Sequence, residues 1–393
     1  MIYDALIVGG GPSGSAAALL LARAGWRVTL IEKSAFPRRK VCGEFISAVS
    51  LPLLRELGIA GRFVECAGPP IRHVGAFARD ATMTAAMPRV LAGDWGRALG
   101  REHLDLLLLE AAARAGAEIV QPAKVIGLRR DGDGFVAAIS AEHGTRDIAA
   151  RIAIAANGSW EPAPFLPAAT PPHRPSDLLA FKAHFQNASL PPDLMPLLAF
   201  PGGYGGMVQS DGGRVTLSCC IRRDRLQQCR QQHPTPNAGE AVLHTIMASC
   251  RGVRDALGNA AIDGAWLAAG PIRPGQRLRC ADGIFRIGNA AGEAHPVVAE
   301  GISMALQSAW LLCRELTTGS ALNQVARRYD AAWRVAFAPR IHAAAAFAQL
   351  AMRPMAVAAA LPLLRLAPQL LTLGARLSGK TTVVTAHLGR HAV

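Results

Sequence analysis

The 393-residue chain lacks the marks of several large protein classes. Its eight cysteines form no C-x-x-C pair, which argues against a zinc or thioredoxin-type site, so no metal is expected. No uncharged apolar run reaches the about 20 residues that cross a bilayer, and arginines and prolines interrupt the closest stretch, 354–377. The sequence does not open with a basic segment followed by an apolar one. We therefore expect no signal peptide, reduced thiols and a cytoplasmic setting.

Acidic residues are also scarce. The chain has 28 Asp and Glu against 42 Lys and Arg, and residues 331–393 contain no acid at all. Such an excess suits nucleic acids, acidic membrane surfaces or anionic ligands. No DNA-reading motif or basic stripe with interleaved aromatics is present, so nucleic acid is not an expected partner. The basic C-terminal stretch has helical spacing. It predicts either helices packed on the rest of the protein with arginines facing solvent, or a lid or docking surface for a membrane or carrier protein.

What is present is a large apolar fraction, 51%, with only 18% charged residues, so a substantial core is expected. Residues 3–8 form an apolar run that enters three glycines, which is typical of a buried parallel strand leading into a tight turn. A helix over 15–24 and a strand over 27–31 complete a βαβ unit. Short segments separated by proline and glycine predict an antiparallel sheet in the middle of the chain, namely 181–185, 197–200, 205–209 and 214–221.

These patterns predict an α/β fold with three parts. A Rossmann-like dinucleotide-binding domain takes residues 1–75, 95–165 and 275–325. It is interleaved with an antiparallel-sheet substrate domain over 76–94 and 166–274. A C-terminal helical region follows over 326–393.

The glycine loop that follows the first strand carries the clearest chemical signal. Gly9 permits the sharp turn, Gly11 lets a pyrophosphate approach the backbone, and Gly14 lets helix and strand pack closely. The next helix directs its N-terminal N–H groups at the phosphates. Glu32, at the end of the second strand, can accept hydrogen bonds from a ribose diol and disfavours a 2′-phosphate.

The opening segment 4–15, DALIVGGGPSGS, resembles that of FAD-dependent monooxygenases of the aromatic-hydroxylase type and of the related geranylgeranyl reductases. Three further segments agree with this resemblance in order and spacing, and it covers about residues 1–320. They are REHLDLLL at 101–108, AANGS at 155–159, and GNAAG at 288–292 followed by His295-Pro296 and 300–302. The resemblance implies FAD as cofactor, with NADPH or NADH as transient reductant.

The resemblance also implies which residues hold FAD. They are Gly9, Gly11, Pro12, Ser13, Gly14, Glu32, Lys33, Cys42, Gly43, Arg101, Val125, Gly288, Asn289, Pro296, Gly301 and Ile302. The family's two usual aspartates are asparagines here, Asn157 and Asn289. Asparagine keeps hydrogen-bonding capacity but loses charge, so we expect altered affinity rather than loss of FAD binding.

The segment Lys40-Val41-Cys42-Gly43-Glu44 resembles an element typical of the reductase-like branch and of natural-product hydroxylases. Cys42 either lies at the flavin face, with its thiolate favoured by Arg38, Arg39 and Lys40, or is a small buried residue in a tight loop. Both interpretations remain open from the sequence.

His295 is the candidate base near the flavin, with a structural hydrogen-bonding role as the alternative. Tyr204 is a candidate for orienting substrate, and His184 lies on a strand that could face the pocket. The segment 200–208 resembles the strand-turn-strand beneath the substrate in this superfamily, and Gly206 stands where the reductases commonly have tryptophan. The halogenase element W-x-W-x-I-P is absent from the sequence, which argues against halogenation.

Three functions follow as hypotheses. The first is an NAD(P)H-dependent monooxygenase that hydroxylates an aromatic or polyketide-type secondary metabolite. The second is a reductase or dehydrogenase of a lipid-like double bond. The third is a maturation flavoprotein that acts on a partner protein. We expect a small-molecule substrate and a monomer or homodimer.

Overall fold

The computed structural model describes residues 1–90, 94–142, 144–159, 172–281 and 283–384, and all structural statements below concern these ranges. Within them lie two large sheets and a set of helices that pack on the sheets and continue to the C-terminal side.

The first sheet is built on a parallel core. Its strands lie in the order Cys280–Ala281, Ile284–Arg286, Gly144–Ala155, Ile2–Val8, Val28–Ile31 and Glu118–Val120, and Ala123–Asp131 and Gly134–Ala141 extend it through antiparallel pairing. Ile2–Val8 pairs in parallel with both of its neighbours, Gly144–Ala155 and Val28–Ile31. Its last four residues are buried, as its apolar sequence predicted. Parallel sheets of this kind place their ligand crevice at the carboxyl ends of the strands.

Helix Pro12–Arg23 lies beside this sheet and packs against both Arg101–Arg114 and Gly301–Leu316. The first helix begins at Pro12, three residues before the predicted start. Proline suits the first helical position because its fixed φ is already helical and its missing N–H would have no intrahelical partner there. The predicted βαβ unit is thus confirmed.

The second sheet is antiparallel except at one pair of strands. Its order is Ala261–Ile272, Leu178–Gln186, Val215–Arg222, Gly203–Gln209, Leu194–Phe200, His73–Ala78 and Ala81–Ala86. The exception is the parallel pairing of Leu194–Phe200 with His73–Ala78. Because the last two strands precede Arg101–Arg114 in the chain, the two sheets are interleaved in sequence as predicted. The predicted boundary between residues 75 and 76 falls inside a strand.

Shorter elements complete the fold. Two small ribbons pair Phe45–Ile46 with Arg97–Ala98 and Gly275–Gln276 with Gly292–Glu293. The remaining helices of this part are Leu51–Glu56, Ala60–Cys66, Arg223–Gln232, Ala238–Ser249 and Arg251–Leu257, with 3₁₀ turns at Ala48–Ser50, Asp211–Gly213, Gly288–Ala290 and Pro296–Val298. Side chains from 229–257 pack on one face of the second sheet and form its core.

The C-terminal region is helical, as predicted. It consists of Leu322–Ala351, Pro354–Leu366, Gln369–Ala375 and a π-helical turn, Arg376–Lys380. In the described ranges, no individual helix combines the length and apolarity needed to cross a membrane. Leu322–Ala351 and Pro354–Leu366, which meet at a bend of 102°, reach that length and composition only when counted together.

The expectation that the C-terminal arginines face solvent is wrong for Arg340, and Lys380 is also buried. Arg340 is 3% exposed and donates to Gln307 Oε1 at 3.0 Å and to the carbonyl oxygen of Thr382 at 3.2 Å. Lys380 is 6% exposed and donates to Glu300 Oε1 at 2.9 Å and to the carbonyl oxygen of Val298 at 2.6 Å. Buried cations are tolerated where such acceptors surround them. The C-terminal region is therefore tied to the segment around residue 300.

Trp333 provides a test of this attachment. Its ring is buried on helix Leu322–Ala351 against Gly292, where an added Cβ would lie 2.5 Å from the indole, and Arg279 stacks on it at 4.9 Å. We expect Trp333→Ala to lower the free energy of unfolding by about 3–5 kcal/mol, because it opens a cavity. Val335→Ala on the same helix, 80% exposed, should change it by less than about 0.5 kcal/mol. Denaturant unfolding of both variants measures this, and equal effects would contradict the packing described.

Candidate active site

The glycine loop has the shape of a phosphate cradle. Gly9 has φ 107°, and a Cβ there would lie 2.6 Å from the carbonyl oxygen of Ala156. A Cβ at Gly14 would overlap the carbonyl oxygen of Gly9. In front of Gly11 the space is open, and an added Cβ would approach only Arg101 Nη2, at 3.7 Å. The loop is therefore packed tightly at Gly9 and Gly14 and open at Gly11 on the side of Arg101. Helix Pro12–Arg23 directs its N-terminus to this open side.

Glu32 is held in place by backbone N–H groups. Its Oε2 accepts from Gly10 N at 2.7 Å and its Oε1 from Ser34 N at 2.9 Å, while Arg38 lies 3.6 Å away. The side chain is 4% exposed and lines the large cavity described below. A fixed carboxylate at the end of the second strand suits a ribose diol.

Arg101 lies at the start of its helix and faces the open side of Gly11. It forms a bidentate ion pair with Asp105, Nε to Oδ1 and Nη2 to Oδ2, both at 2.7 Å. Although burial opposes the charged form, the Asp105 carboxylate raises the pKa of Arg101 above its ordinary value. A permanently charged guanidinium thus stands beside the phosphate cradle.

A cavity of about 690 Å³ runs from the glycine loop to the second sheet. Ligand pockets are typically about 300–1,000 Å³. Fourteen of the sixteen residues implied for FAD line it: Gly9, Gly11, Pro12, Ser13, Glu32, Lys33, Cys42, Gly43, Arg101, Val125, Asn289, Pro296, Gly301 and Ile302. Gly14 and Gly288 lie behind its wall, and a Cβ at Gly288 would press on Ser13. The open cradle, the fixed carboxylate and the elongated cavity fit a dinucleotide.

Asn289 belongs to a polar cluster that sequence reasoning missed. Its Nδ2 donates to Ser159 Oγ at 2.9 Å and to Glu293 Oε1 at 3.0 Å. Arg277 Nη1 donates to the backbone carbonyl oxygen of Asn289 at 2.6 Å. Burial raises the pKa of Glu293, although Arg277 and Ser159 act in the opposite direction. An aspartate at 289 would set two carboxylates against each other. This explains why asparagine suits this position. The sequence feature that could have indicated this cluster is Glu293, which directly follows the GNAAG segment.

Glu44 is the centre of a second cluster, which joins the 40–44 segment to the second sheet. It is fully buried, and Lys182 donates to its Oε1. Its Oε2 accepts from Thr216 Oγ1 at 2.5 Å and lies 3.0 Å from His184 Nε2. Arg39 Nη2 lies 2.9 Å from His184 Nδ1. Because arginine only donates, Nδ1 accepts and Nε2 carries the proton that is given to Glu44.

The electrostatics of this cluster stabilise an ionised carboxylate. Burial opposes ionisation, but the hydrogen bond from His184 and the charge of Lys182 hold the pKa of Glu44 well below its usual range. Glu44 has φ 63°, a left-handed conformation that costs a non-glycine residue about 1–3 kcal/mol. Lys182 was missed by sequence reasoning. Its signal was a lysine inside the apolar strand LLAFKAHFQ, since a lysine is almost never fully buried without a partner.

His184 therefore does not act at the cavity wall. It is fully buried behind Glu44 and holds that carboxylate in place. Cys42 does line the cavity, and Arg101 is a cationic neighbour in addition to the expected Arg38, Arg39 and Lys40 of its own loop. Arg38 is directed at Glu32 and at Asp105, 3.8 Å away, because two buried carboxylates attract it more strongly than a thiol.

Tyr204 and His295 meet in the cavity. The tyrosine hydroxyl oxygen lies 3.1 Å from His295 Nδ1, and their rings are arranged edge to face. Burial raises the pKa of Tyr204 well above its ordinary value and lowers the pKa of His295 to about 4. Both side chains are therefore uncharged at neutral pH. The structure places the two candidates on one wall as a hydrogen-bonded, neutral pair.

Comparison with known families decides the class of the protein. A family model described as FAD binding domain matches residues 2–341. The chain belongs to this family. It is an FAD-dependent enzyme, an oxidoreductase, and its two-sheet fold with C-terminal helices is the fold of this family.

The relatives of this flavoenzyme carry different activities. It is 31% identical over 163 residues to a menaquinone reductase of Mycobacterium tuberculosis, an alignment covering 40% of this chain and 38% of the relative. It is 25% identical over 327 residues to a rifampicin monooxygenase of Streptomyces venezuelae, covering 80% of this chain and 65% of the relative. The chain thus aligns with less than two thirds of either relative. The solved structure of a flavin-dependent brominase shares the fold, with a TM-score of 0.75, 19% identity and coverage of 97% and 94%.

The glycine cradle predicts a specific loss. We expect Gly14→Ala to raise the Kd for FAD by at least about tenfold, which corresponds to 1.4 kcal/mol, because the new methyl group displaces Gly9 and opens the turn. Gly61→Ala is the matched control, since nothing lies within 4 Å of its added Cβ. Quenching of flavin fluorescence on titration of the apoprotein measures both constants. Unchanged affinity in Gly14→Ala would contradict the cradle.

The Glu44 cluster predicts a pH-dependent loss of stability. We expect Lys182→Met to lower the free energy of unfolding by about 3–5 kcal/mol at neutral pH, because it leaves a buried carboxylate without its cation. The pKa of Glu44 is lower in the folded protein than in the unfolded chain. The ionised Glu44 therefore stabilises the fold at pH values above its unfolded pKa, and this stabilisation is lost as the pH falls. The difference between wild type and variant should therefore shrink below about pH 4, near the ordinary glutamate pKa.

A double variant controls for the loss of packing in this experiment. Lys182→Met combined with Glu44→Gln removes the charge as well as its partner and should recover part of the stability. Urea unfolding across pH 3–8 measures all three proteins. A deficit that is the same at every pH would show that the ion pair is not its cause.

Proposed function

We propose that this flavoenzyme is a monooxygenase that uses NAD(P)H and O2 to hydroxylate an aromatic or polyketide-type secondary metabolite. The observation that carries the proposal is the neutral Tyr204–His295 pair in the cavity. When bound, FAD supplies the redox chemistry, including the reaction with oxygen. The chain itself has to bind the substrate, orient it and exclude water.

The part of the cavity beside the second sheet suits a flat apolar molecule. Met195, Leu197, Met207 and Ile272 contribute to its wall, and three of these four side chains are buried. Gly206 adds no side chain, and an added Cβ there would lie 3.3 Å from the carbonyl oxygen of Pro196. An apolar wall of this kind displaces water from the reacting atoms.

The Tyr204–His295 pair supplies the polar contact for such a molecule. Since neither side chain is charged at neutral pH, the pair can exchange hydrogen bonds with a phenol or enol hydroxyl without burying a charge. The contact fixes which carbon of the substrate faces the reactive side of the cofactor. Hydroxylation of an electron-rich ring needs little further acid–base help.

A reductase of an apolar double bond is the second candidate. The 40–44 segment and the 31% identity to a menaquinone reductase favour it. Saturating a double bond requires a hydride equivalent from the reduced cofactor and a proton for the second carbon. Glu293 lines the same cavity, and burial raises its pKa, so it is the group that could donate this proton.

Isotope labelling separates these candidates. The FAD-loaded protein is mixed with NADPH, ¹⁸O2 and a panel of phenols, naphthols and quinols, and the products are analysed by mass spectrometry. Incorporation of one ¹⁸O atom supports the proposal. Saturation of one side-chain double bond of an isoprenoid quinone under anaerobic conditions, located by fragmentation so that reduction of the quinone ring is not counted, would overturn it in favour of the reductase if no oxygen is incorporated in air. Turnover of neither set would overturn both and favour action on a partner protein.

Tyr204→Phe tests the role of the pair in the hydroxylation. We expect the KM for the labelled substrate to rise about tenfold, or 1.4 kcal/mol, because the buried polar contact is lost. The Kd for FAD should stay the same. Tyr3→Phe, which removes a hydroxyl from the far end of the first strand, is the control and should change neither constant. An unchanged KM in Tyr204→Phe would remove Tyr204 from substrate binding.

The lowered pKa of His295 predicts a neutral ring over the physiological range. We expect the His295 resonances in ¹⁵N-histidine NMR spectra to titrate near pH 4 rather than near the ordinary value of about 6.5. His295→Gln assigns the signal by its disappearance. A midpoint between pH 6 and 7 would mean that the ring is better solvated, and the neutral-pair account would fail.

A further inference from the structure

A second cavity, of about 480 Å³, adjoins the first. Four arginines line it, Arg174, Arg222, Arg273 and Arg353, and we call it the arginine cavity. They come from distant parts of the chain, and Arg353 stands between helices Leu322–Ala351 and Pro354–Leu366. The fold therefore brings together four guanidinium groups that are separated in sequence.

The arginine cavity carries excess positive charge. The carboxylate in its wall is Asp177, whose Oδ2 accepts from Arg174 N at 3.0 Å and lies 3.5 Å from Arg273 Nη2. Arg222 forms a bidentate pair with Asp224, at 3.1 and 2.6 Å. Among the described residues of this wall and their partners, four guanidinium groups against these two carboxylates leave two positive charges in excess. Guanidinium groups match the geometry of phosphate and carboxylate oxygens.

The two cavities meet at His295 and Ile272, which line both. A ligand held by the arginines can therefore extend past His295 towards the space beside the cofactor loop. Leu178 and Met352 add apolar surface between the charged groups. The shape suits a molecule with an anionic end and a flat, less polar end.

The geometry points to the arginine cavity as the binding site for the phosphate or carboxylate group of an elongated ligand. The other end of this ligand reaches the cavity that runs from the glycine loop to the second sheet. Two sources share this chemistry. One is the pyrophosphate or 2′-phosphate of the nicotinamide reductant, and the other is an anionic group on the substrate.

Binding of inorganic pyrophosphate to the FAD-loaded protein tests the site without any turnover, so its failure is separate from failure of the proposed reaction. Calorimetric titration at fixed ionic strength should detect binding. Arg174→Gln and Arg353→Gln should each weaken it at least threefold, and the double variant at least tenfold, because each removes one guanidinium. Both side chains are exposed, so the fold should be retained, and FAD content checks this.

Arg365→Gln is the matched control, because it removes an exposed arginine from the neighbouring helix outside the cavity. Equal weakening in all variants would show a general charge effect and overturn the site, as would absence of pyrophosphate binding. In steady-state assays, a raised KM for NADPH in the double variant assigns the anion to the reductant. A raised KM for the substrate alone assigns it to the substrate.

A separate observation concerns the outer surface of the C-terminal helices. On helix Pro354–Leu366, Val357 and Leu361 are buried, whereas Met355 is 83% and Leu366 85% exposed. At 100° per residue, positions 355 and 366 lie on one side of the helix and 357 and 361 on the opposite side. Leu373 and Leu377 in the following turns are 48% and 58% exposed. Large apolar residues thus face outward where solvent-facing polar residues would be expected.

The charge around this surface favours one kind of partner. Arg365 and Arg376 are exposed and lie close in sequence to these apolar residues, and residues 331–393 contain no acid. We infer that this face, made by the exposed residues of 355–377, docks on an anionic lipid bilayer. Apolar side chains enter the interface of such a bilayer, and each nearby cation adds about 1 kcal/mol of attraction.

Vesicle co-sedimentation of the FAD-loaded protein tests this docking. We expect binding to vesicles of phosphatidylglycerol and phosphatidylcholine, less binding to phosphatidylcholine alone, and release at high salt. Met355→Glu combined with Leu366→Glu should reduce the bound fraction at least fivefold. Leu278→Glu, at a residue 63% exposed outside the helices, should leave it unchanged. Absence of vesicle binding by the wild type, or equal binding by the double variant, would overturn the inference.

Discussion

The buried carboxylate of Glu44 joins the segment after the glycine-loop βαβ unit to the second sheet of this protein. The segment that carries it follows the dinucleotide-binding βαβ unit, while its partners Lys182, His184 and Thr216 belong to the second sheet. An ionised carboxylate without these partners would be too costly to bury. The cluster therefore sets where the 40–44 segment, with Cys42 and Gly43, lies along the cavity wall. The left-handed backbone at Glu44 is tolerated because several partners fix the side chain.

The 298–302 segment of the cavity wall is held in a similar way from the C-terminal region. Lys380 donates to the carbonyl oxygen of Val298 and to Glu300, on either side of Ala299, whose φ of 52° is also left-handed. Gly301 and Ile302, which line the cavity, follow directly. The C-terminal helices are thus part of the site's architecture, because they fix the segment that precedes helix Gly301–Leu316. Their outer face remains apolar and basic, and their junction supplies Arg353 to the arginine cavity.

The sequence predicted the fold and a bound dinucleotide because those depend on local patterns, and the family resemblance specified FAD. The strand over 3–8, the glycine loop and the helical tail are each encoded by neighbouring residues, and the family match confirmed the class. Contacts between residues that are distant in sequence could not be predicted from these local patterns. Nothing near Lys182 in sequence indicates that its partner is Glu44, and the exchange of aspartate for asparagine at 289 makes sense only beside Glu293. The strand Ala261–Ile272 was missed because it lies at the edge of its sheet, where most of its side chains are exposed or half-buried and no clean alternation arises.

The crystal structure of the FAD-loaded protein would test the central claim, that the cavity walled by the segments that Glu44 and Lys380 hold contains the cofactor. The account predicts the pyrophosphate at Gly11 beside Arg101, the ribose diol on Glu32, and the isoalloxazine ring between the 40–44 segment, the 295–302 segment and Tyr204. An isoalloxazine ring located outside these three segments, or a Glu44 side chain separated from Lys182 when FAD is bound, would contradict it.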